Sequence, residues 1–344
     1  MNGRYTMRIA IRSPNWIGDG IMSLPAIRAL KDYSPRDPLT VVARNHVADI
    51  FLNIPEISGI IRIPDRMTLG GYLRTANEIR RGRFERGILL ANSFNSALLF
   101  TLAGIKERIG YDRDGRRLLL TRPVAVEASG DHHHAYYLRL IENVCGRKFG
   151  RIYADNLVLT AGEKTEGKSL LNTLGIQPSR TLVALSPVSA FGSAKEWPPE
   201  KFGNLIRNLK SSWPQVEILL IGSKKEKDKI DLIAANAGVP VYNLAGRLRL
   251  RETIVILSLC RMAVANDSGI MHIASSLRIP LIAIFGPTVP RETAPMSPEH
   301  VLLHHPPECA PCRHRECPTD HRCMQAVSVT EMLKACSRFL GDPP

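Results

Sequence analysis

Long hydrophobic runs are the first thing this sequence lacks. No apolar stretch approaches the ~20 residues that a membrane-spanning helix needs, and the longest, such as Leu281–Phe285, have the length of a buried strand. The opening residues MNGRYTMRIAIRS hold no extended apolar segment of the secretory kind, so the expected compartment is the cytoplasm. Aromatics are scarce at 6% and are not interleaved with the arginine-rich stretches. That excludes a stacking platform for single-stranded nucleic acid, and no nucleic-acid partner is expected. The G-x-G-x-x-G fingerprint is missing, as is the G-x-x-x-x-G-K-[ST] loop, which excludes the two commonest phosphate-binding signatures. Acidic residues are the minority, 32 against 46 Lys+Arg, for a formal charge of +14. Such a field attracts polyanions. Its arginines gather in the first half, at Arg62, Arg66, Arg74, Arg80, Arg81, Arg83 and Arg86 and again from Arg108 to Arg122. Arginine favours forked contact with phosphate and carboxylate.

What is present is a rhythm of short apolar strands and amphipathic helices. Residues 8–12 read as a first strand, and Ile21, Leu24, Ile27 and Leu30 mark one face of a helix over 21–33. Strands follow at 39–43, 60–63 and 87–90, with a helix over 69–80. A second series places strands at 181–185, 216–221, 239–244, 262–265 and 281–285, and helices at 200–211, 225–236, 251–259 and 268–277. This alternation predicts an α/β fold with parallel sheets, and a length of 344 residues predicts two domains. The expected division is 1–165, then 166–328, with a last helix over 329–344 packing back across the junction. Ligands of such sheets sit beyond the carboxyl ends of the strands.

The motifs fall at those strand ends. Ser13-Pro14-Asn15-Trp16-Ile17-Gly18-Asp19-Gly20 follows the first strand, with two glycines around a carboxylate at the turn into a helix. Asp19 is either a general base for a hydroxyl nucleophile or a cap of that helix. Asn92-Ser93-Phe94-Asn95-Ser96 follows another strand and either lines a cleft or caps a helix. In the second series, a small-residue loop from Ser186 runs through Ser193 to Lys195, Trp197 and Pro198. Its N–H groups and Lys195 are candidates to hold a diphosphate, while Trp197 also reads as a packing residue beside the next helix. Asn266-Asp267-Ser268-Gly269-Ile270-Met271-His272 joins a strand to a helix whose start is a ready anion site, with His272 able to face the same ligand. Glu226, after Ile221-Gly222-Ser223, is a candidate partner for a ribose or sugar diol, or a solvated charge at a helix start. His132-His133-His134 reads as a polar loop.

Five of the seven cysteines lie from Cys309 onward. The spacing Cys309-x2-Cys312-x4-Cys317-x5-Cys323, with His314 and His321 inside it, reads either as a structural zinc site, with an iron–sulfur cluster as the lesser metal alternative, or as unligated thiols or a disulfide pair. Cys145 and Cys260 read as reduced core residues.

Taken together, the stretches Ser13 to Pro25, Leu90 to Gly110, Gly192 to Pro198, Leu244 to Gly246, Ala265 to Ala274 and Phe285-Gly286-Pro287-Thr288 resemble the lipopolysaccharide heptosyltransferases of glycosyltransferase family 9. Within that family the likeness is to members adding the second heptose, since Ala190 and Phe191 stand where first-type members have hydroxyl residues. The cysteine-rich segment is not shared by every member. The resemblance implies a GT-B fold, two facing Rossmann-like domains with the donor in the C-terminal one. It implies ADP-L-glycero-β-D-manno-heptose as donor, an anionic glycolipid (heptosylated Kdo–lipid A) as acceptor, inversion at the anomeric carbon, and no cofactor for catalysis. Peripheral attachment to the cytoplasmic face of the inner membrane goes with such an acceptor. By the same resemblance Asp19 is the base and Lys195 contacts the donor phosphates. Ser193, Glu226, Leu248, Asp267, Ser268, Gly269 and His272 join Lys195 as donor-binding candidates. Asn15, Gly18, Asn92, Ser93 and Arg116 are the acceptor-binding candidates.

Overall fold

Two parallel sheets, each flanked by helices, account for the chain. The computed structural model describes residues 6–126, 130–151 and 153–343, so the first five residues, read above for a leader, lie outside it. Cα proximity divides the protein into one unit ending at Val158 and a second beginning at Leu159.

The first unit contains β1 (Ile9–Arg12), β2 (Leu39–Arg44), β3 (Gly59–Ile63), β4 (Arg86–Leu89), β5 (Glu107–Tyr111) and β6 (Arg122–Val124). They line up in the order β3-β2-β1-β4-β5-β6. β1 sits centrally, with Ile9 opposite Leu39 on one side and Arg86 on the other, parallel to both. The second unit contains β7 (Thr181–Ser186), β8 (Val216–Leu220), β9 (Tyr242–Asn243), β10 (Met262–Asn266), β11 (Leu281–Phe285) and β12 (His300–His304). Their order is β12-β11-β10-β7-β8-β9, the same winding repeated. Strands covered on both faces need apolar residues at every position, and β1, β10 and β11 are buried throughout.

Several expected elements are corrected. The single helix over 21–33 is two, Ile17–Met22 and Leu24–Tyr33, separated at Ser23. Pro25 has no N–H for the Ile21 carbonyl and sits where proline is tolerated, in the first turn of the second helix. The strand over 239–244 shrinks to Tyr242–Asn243 at the sheet edge, just after Pro240. The triple histidine opens a helix, His133–Cys145, with the His132 ring accepting from the His134 N–H at 3.3 Å.

The division after Val158 precedes the expected 165 because the helix Ala161–Thr173 is fastened to the second unit. Thr160 and Glu163 form a capping box. Glu163 also takes a forked pair of bonds from Arg251, 2.7 Å to Oε1 and 3.0 Å to Oε2. A Cβ on Gly167 would lie 2.4 Å from Val255, so only glycine allows this approach. The last helix, Val329–Leu340, spends its apolar face on its own unit. Met332, Ala335 and Cys336 join a core with Phe202, Leu205 and Leu209, and Trp213 Nε1 bonds the Gly341 carbonyl at 3.1 Å.

The Arg251 bonds hold the Glu163 carboxyl down at about 2. A carboxylate depressed in the folded state stabilises above its unfolded pKa of about 4.3, and that contribution is lost as pH falls toward about 2. Glu163→Gln is therefore expected to melt below the parent at neutral pH, with the gap in Tm closing as pH is lowered. A gap independent of pH would contradict this assignment.

Candidate active site

Each sheet reverses its strand order once, between β1 and β4 and between β7 and β10. Loops leaving the carboxyl ends of such neighbouring strands run apart and leave a crevice that takes a ligand. All the principal motifs lie on those four loops.

In the first unit, β1 runs into the turn Ser13 to Trp16 and the helix Ile17–Met22. Gly20 lets this helix settle on its neighbours, since a Cβ there would sit 3.1 Å from Val47 and 3.2 Å from Ile50. Gly18 is buried alongside it. Asp19 lies in the first turn, and Trp16, not Asp19, is the N-cap residue. The carboxylate is instead held from the helix His133–Cys145: Tyr137 donates its hydroxyl to Oδ1 at 3.0 Å, and His133 Nδ1 is 3.4 Å from the same oxygen. Among the described residues Oδ2 has no hydrogen-bond partner, and the side chain is 25% exposed. Burial, reinforced by the Asp19 charge, drives the Tyr137 hydroxyl well above its ordinary pKa, so it remains a donor.

Across the reversal, Asn92 and Ser93 leave β4. Ser93 caps the helix Phe94–Leu102, accepting from the Ser96 N–H at 3.2 Å. Asn92 Oδ1 accepts from Arg116 at 2.9 Å, and its amide donates to the Tyr136 hydroxyl. Arg116 has no exposed surface. Its other nitrogens bond the Tyr111 carbonyl at 3.0 Å and the Ala91 carbonyl, and burial lowers its pKa to about 10. It ties the end of β4 to that of β5 from below. Arg116, expected at the acceptor, spends its guanidinium on these protein groups. Asn15 is engaged too, its Oδ1 accepting from Arg12 at 2.6 Å.

In the second unit, the loop after β7 ends in a tight turn, Ser193–Lys195. Lys195 pairs with Asp267, at the end of β10, with 12% and 5% of the two side chains exposed. Thr288 donates to the same Asp267 oxygen at 2.8 Å, and Thr293 approaches the other at 3.5 Å. The ring of Phe191 lies 4.6 Å from the Lys195 ammonium. Ser268 is the N-cap of the helix Gly269–Ser276 in extended conformation, but its hydroxyl makes no capping bond. The first N–H groups of that helix are thus not taken by the residue that usually satisfies them, which favours an anion. Asn266 fixes the two loops to each other, accepting from the Trp197 N–H at 3.1 Å and donating to the Pro187 carbonyl at 2.8 Å. Trp197 itself is fully buried against Phe202, a packing residue.

The sequence profile of glycosyltransferase family 9 (heptosyltransferase) matches residues 72–322. The chain belongs to glycosyltransferase family 9. Lipopolysaccharide heptosyltransferase 2 of Salmonella typhimurium is 30% identical over 309 residues, covering 85% of this chain and 86% of that one. Lipooligosaccharide heptosyltransferase 2 of a Campylobacter jejuni strain is 25% identical across 97% of this chain and 99% of that one. Among solved structures, E. coli ADP-heptose lps heptosyltransferase II superposes with a TM-score of 0.83 at 25% identity, covering 97% and 98% of the two chains. The protein is a glycosyltransferase with the GT-B type of α/β fold.

Three further site candidates of this family 9 enzyme lie in the second unit. His272 is 6% exposed, in the helix Gly269–Ser276. Glu226 caps its own turn, Oε2 accepting from the Ser223 N–H at 2.6 Å, which leaves only Oε1 for a diol. Leu248 is half-buried in the loop before Leu250–Leu257.

The zinc expectation is corrected. Among the described residues no group of three or more His, Cys, Asp or Glu side chains is placed to hold a metal ion. Cys323 is turned into the core, where its thiol would lie 3.0 Å from a Cβ on Gly286, and burial raises its pKa. Cys317 bonds the Thr319 hydroxyl at 3.5 Å, and Cys309 is exposed. The cysteine-rich segment braces the loop after β7 through its backbone instead. The Arg315 carbonyl accepts from the Ala194 N–H at 3.0 Å, and Gly192, at φ +152°, passes so close to it that a Cβ would lie 2.2 Å away.

Sequence reasoning missed Tyr137 and His133 on Asp19, and Thr288 and Thr293 on Asp267. Thr288 did fall in a stretch singled out above, but nothing in the sequence indicated what it touches.

Proposed function

We propose that this enzyme transfers a heptose from ADP-L-glycero-β-D-manno-heptose to heptosylated Kdo–lipid A, inverting the anomeric centre and using no metal. The observation that carries the reading is Asp19, a partly exposed carboxylate at the reversal point of the first sheet, fixed through Oδ1 with Oδ2 available. The relatives described above, all heptosyltransferases, support the sugar and the acceptor class.

The acceptor hydroxyl oxygen attacks the anomeric carbon. Its proton passes to Asp19 Oδ2, and the bond from that carbon to the β-phosphate oxygen breaks, with its electron pair leaving on ADP. Lys195 and the N–H groups at Gly269 supply positive charge where negative charge grows. Asp267, itself anionic, does not face the diphosphate as a ligand; it orients the Lys195 ammonium with the help of Thr288. The Ser193 N–H and Glu226 Oε1 complete the donor contacts in this reading. Asn15, Asn92 and Ser93 shape the acceptor side. A net charge of +14 suits an anionic membrane surface, and among the described residues no helix is long and apolar enough to cross a membrane. The enzyme is accordingly assigned to the cytoplasmic face of the inner membrane.

Mass spectrometry of the glycolipid after incubation with ADP-heptose tests the proposal. Gain of one heptosyl unit is expected, and the α configuration of the new bond, read by NMR, marks inversion of the β donor. Retention, or no gain, would contradict it. Tyr137 acts by positioning. Removing one hydrogen bond to a charged group is worth about 1.5–3 kcal/mol, so Tyr137→Phe is expected to lower kcat roughly tenfold while donor Kd stays unchanged. An unaltered kcat would remove Tyr137 from the account.

A further inference from the structure

A second basic site lies in the first unit, centred on Arg12 and Arg44, to which the transfer chemistry gives no part. The carboxyl ends of β1, β2 and β3 and the loop after β4 surround a recess of about 130 Å³, several times the ~30 Å³ share of one water. Arg12 and Arg44 line it, with Tyr72, Ser93, Asn95 and Ser96. Arg12 is 3% exposed. Its terminal nitrogens bond the Ser13 carbonyl at 2.6 Å, the Val42 carbonyl at 3.3 Å and Asn15 Oδ1 at 2.6 Å. Its Nε is buried with no partner among the described residues.

Buried charges are ordinarily paired with an opposite charge. Among the described residues neither Arg12 nor Arg44 has a carboxylate partner. The nearest lining carboxylate, Asp65, is held by His46, and Arg44 bonds only the Asp65 backbone carbonyl, at 3.1 Å. The two guanidiniums feel each other instead. Burial, and then the charge of Arg44, bring Arg12 down to about 9. Two cations with no direct carboxylate contact, one of them buried, beside four hydroxyl or amide side chains make a cradle for an anionic group. The turn that carries Asp19 begins at this recess, because Arg12 holds Asn15.

We infer that the recess between Arg12 and Arg44 is an anion subsite that seats an acidic group of the acceptor, a phosphate or a sugar carboxylate, and so fixes the acceptor relative to Asp19. This rests on the transferase reading above. Arg44, half-buried at the rim, is the residue to change, because Arg12 also holds the loop together. Steady-state kinetics of the full-length enzyme with heptosylated Kdo–lipid A are compared for wild type and Arg44→Gln, with donor Kd and Tm confirming the fold. Loss of a charge-assisted contact is expected to raise the acceptor KM roughly tenfold or more, with kcat and donor Kd within about twofold. The source of the anion is read from two altered acceptors, one dephosphorylated and one with its carboxyl groups reduced. The Arg44→Gln penalty is expected to vanish on one of them. An unchanged KM, or the same penalty on both altered acceptors, would overturn the inference and leave the transferase reading standing. Should Arg44→Gln fail to fold, Arg44→Lys keeps the charge but loses the fork, and a several-fold rise in KM is then expected. Should wild type transfer to no such acceptor, the transferase reading falls, and the recess is judged alone by calorimetric titration of inorganic phosphate and of free Kdo. Binding weakened by the Arg44 substitution would support the subsite; equal or undetectable binding would overturn it.

Discussion

Asp19→Asn is expected to lower kcat by about 10²–10⁴-fold, the contribution of a positioned general base, while ADP-heptose binds as before. The substitution is nearly isosteric. An Asn side-chain oxygen can still accept from Tyr137 and stay near His133, which hold Oδ1 in the parent at 3.0 and 3.4 Å. The helix should survive too, since its cap position is Trp16 and its packing against Val47 and Ile50 depends on Gly20. What disappears is a group able to take the acceptor proton. The loss should therefore fall on turnover and not on donor affinity, as expected of an interaction made only in the transition state. Single-turnover kinetics with saturating donor would show it. Turnover within a factor of a few of wild type would require another base.

Lys195→Met should lose a comparable amount for a different reason. Removing one oriented donor of charge stabilisation commonly costs ~3–4 kcal/mol of barrier. In this enzyme a second cost accompanies it. Asp267 is 5% exposed and would be left with only Thr288 and Thr293. Removing one partner of a buried ion pair typically destabilises by about 3–5 kcal/mol. The two effects separate in the double variant Lys195→Met with Asp267→Leu. Stability, followed by denaturant unfolding, should recover much of the loss because no unpaired charge remains. Activity should not recover. Recovery of activity together with stability would make Lys195 a structural residue only.

How far the sequence could be read is itself physically instructive. β1, β10 and β11 were legible because strands covered on both faces carry unbroken apolar runs. β5, β6 and β12 were not, being bounded by the polar residues Glu107, Arg122 and the histidines at 300 and 304. The loops bearing Asp19, Lys195 and Asp267 were found because small residues concentrate where strands end. Their partners were not. Tyr137 lies 118 positions from Asp19, and only the helix packing brings them together. The burial of Arg116 is not legible either, because an arginine in a basic stretch resembles surface, whereas burial is decided by the β4 and β5 ends it joins. The cysteine spacing carried a metal pattern, yet ligation requires converging side chains, and Cys323 is committed to the core. The Arg12 recess is not legible for the converse reason: nothing in a strand-terminal arginine announces that the carboxylate lining its recess, Asp65, is engaged by His46.

The most direct test of the central claim is ADP release by the purified protein from ADP-heptose, with and without heptosylated Kdo–lipid A, in parallel for wild type and Asp19→Asn. The account predicts release that depends on the acceptor in wild type and nearly vanishes in the variant while donor binding persists. Release that ignores the acceptor, or that survives in Asp19→Asn, would contradict it.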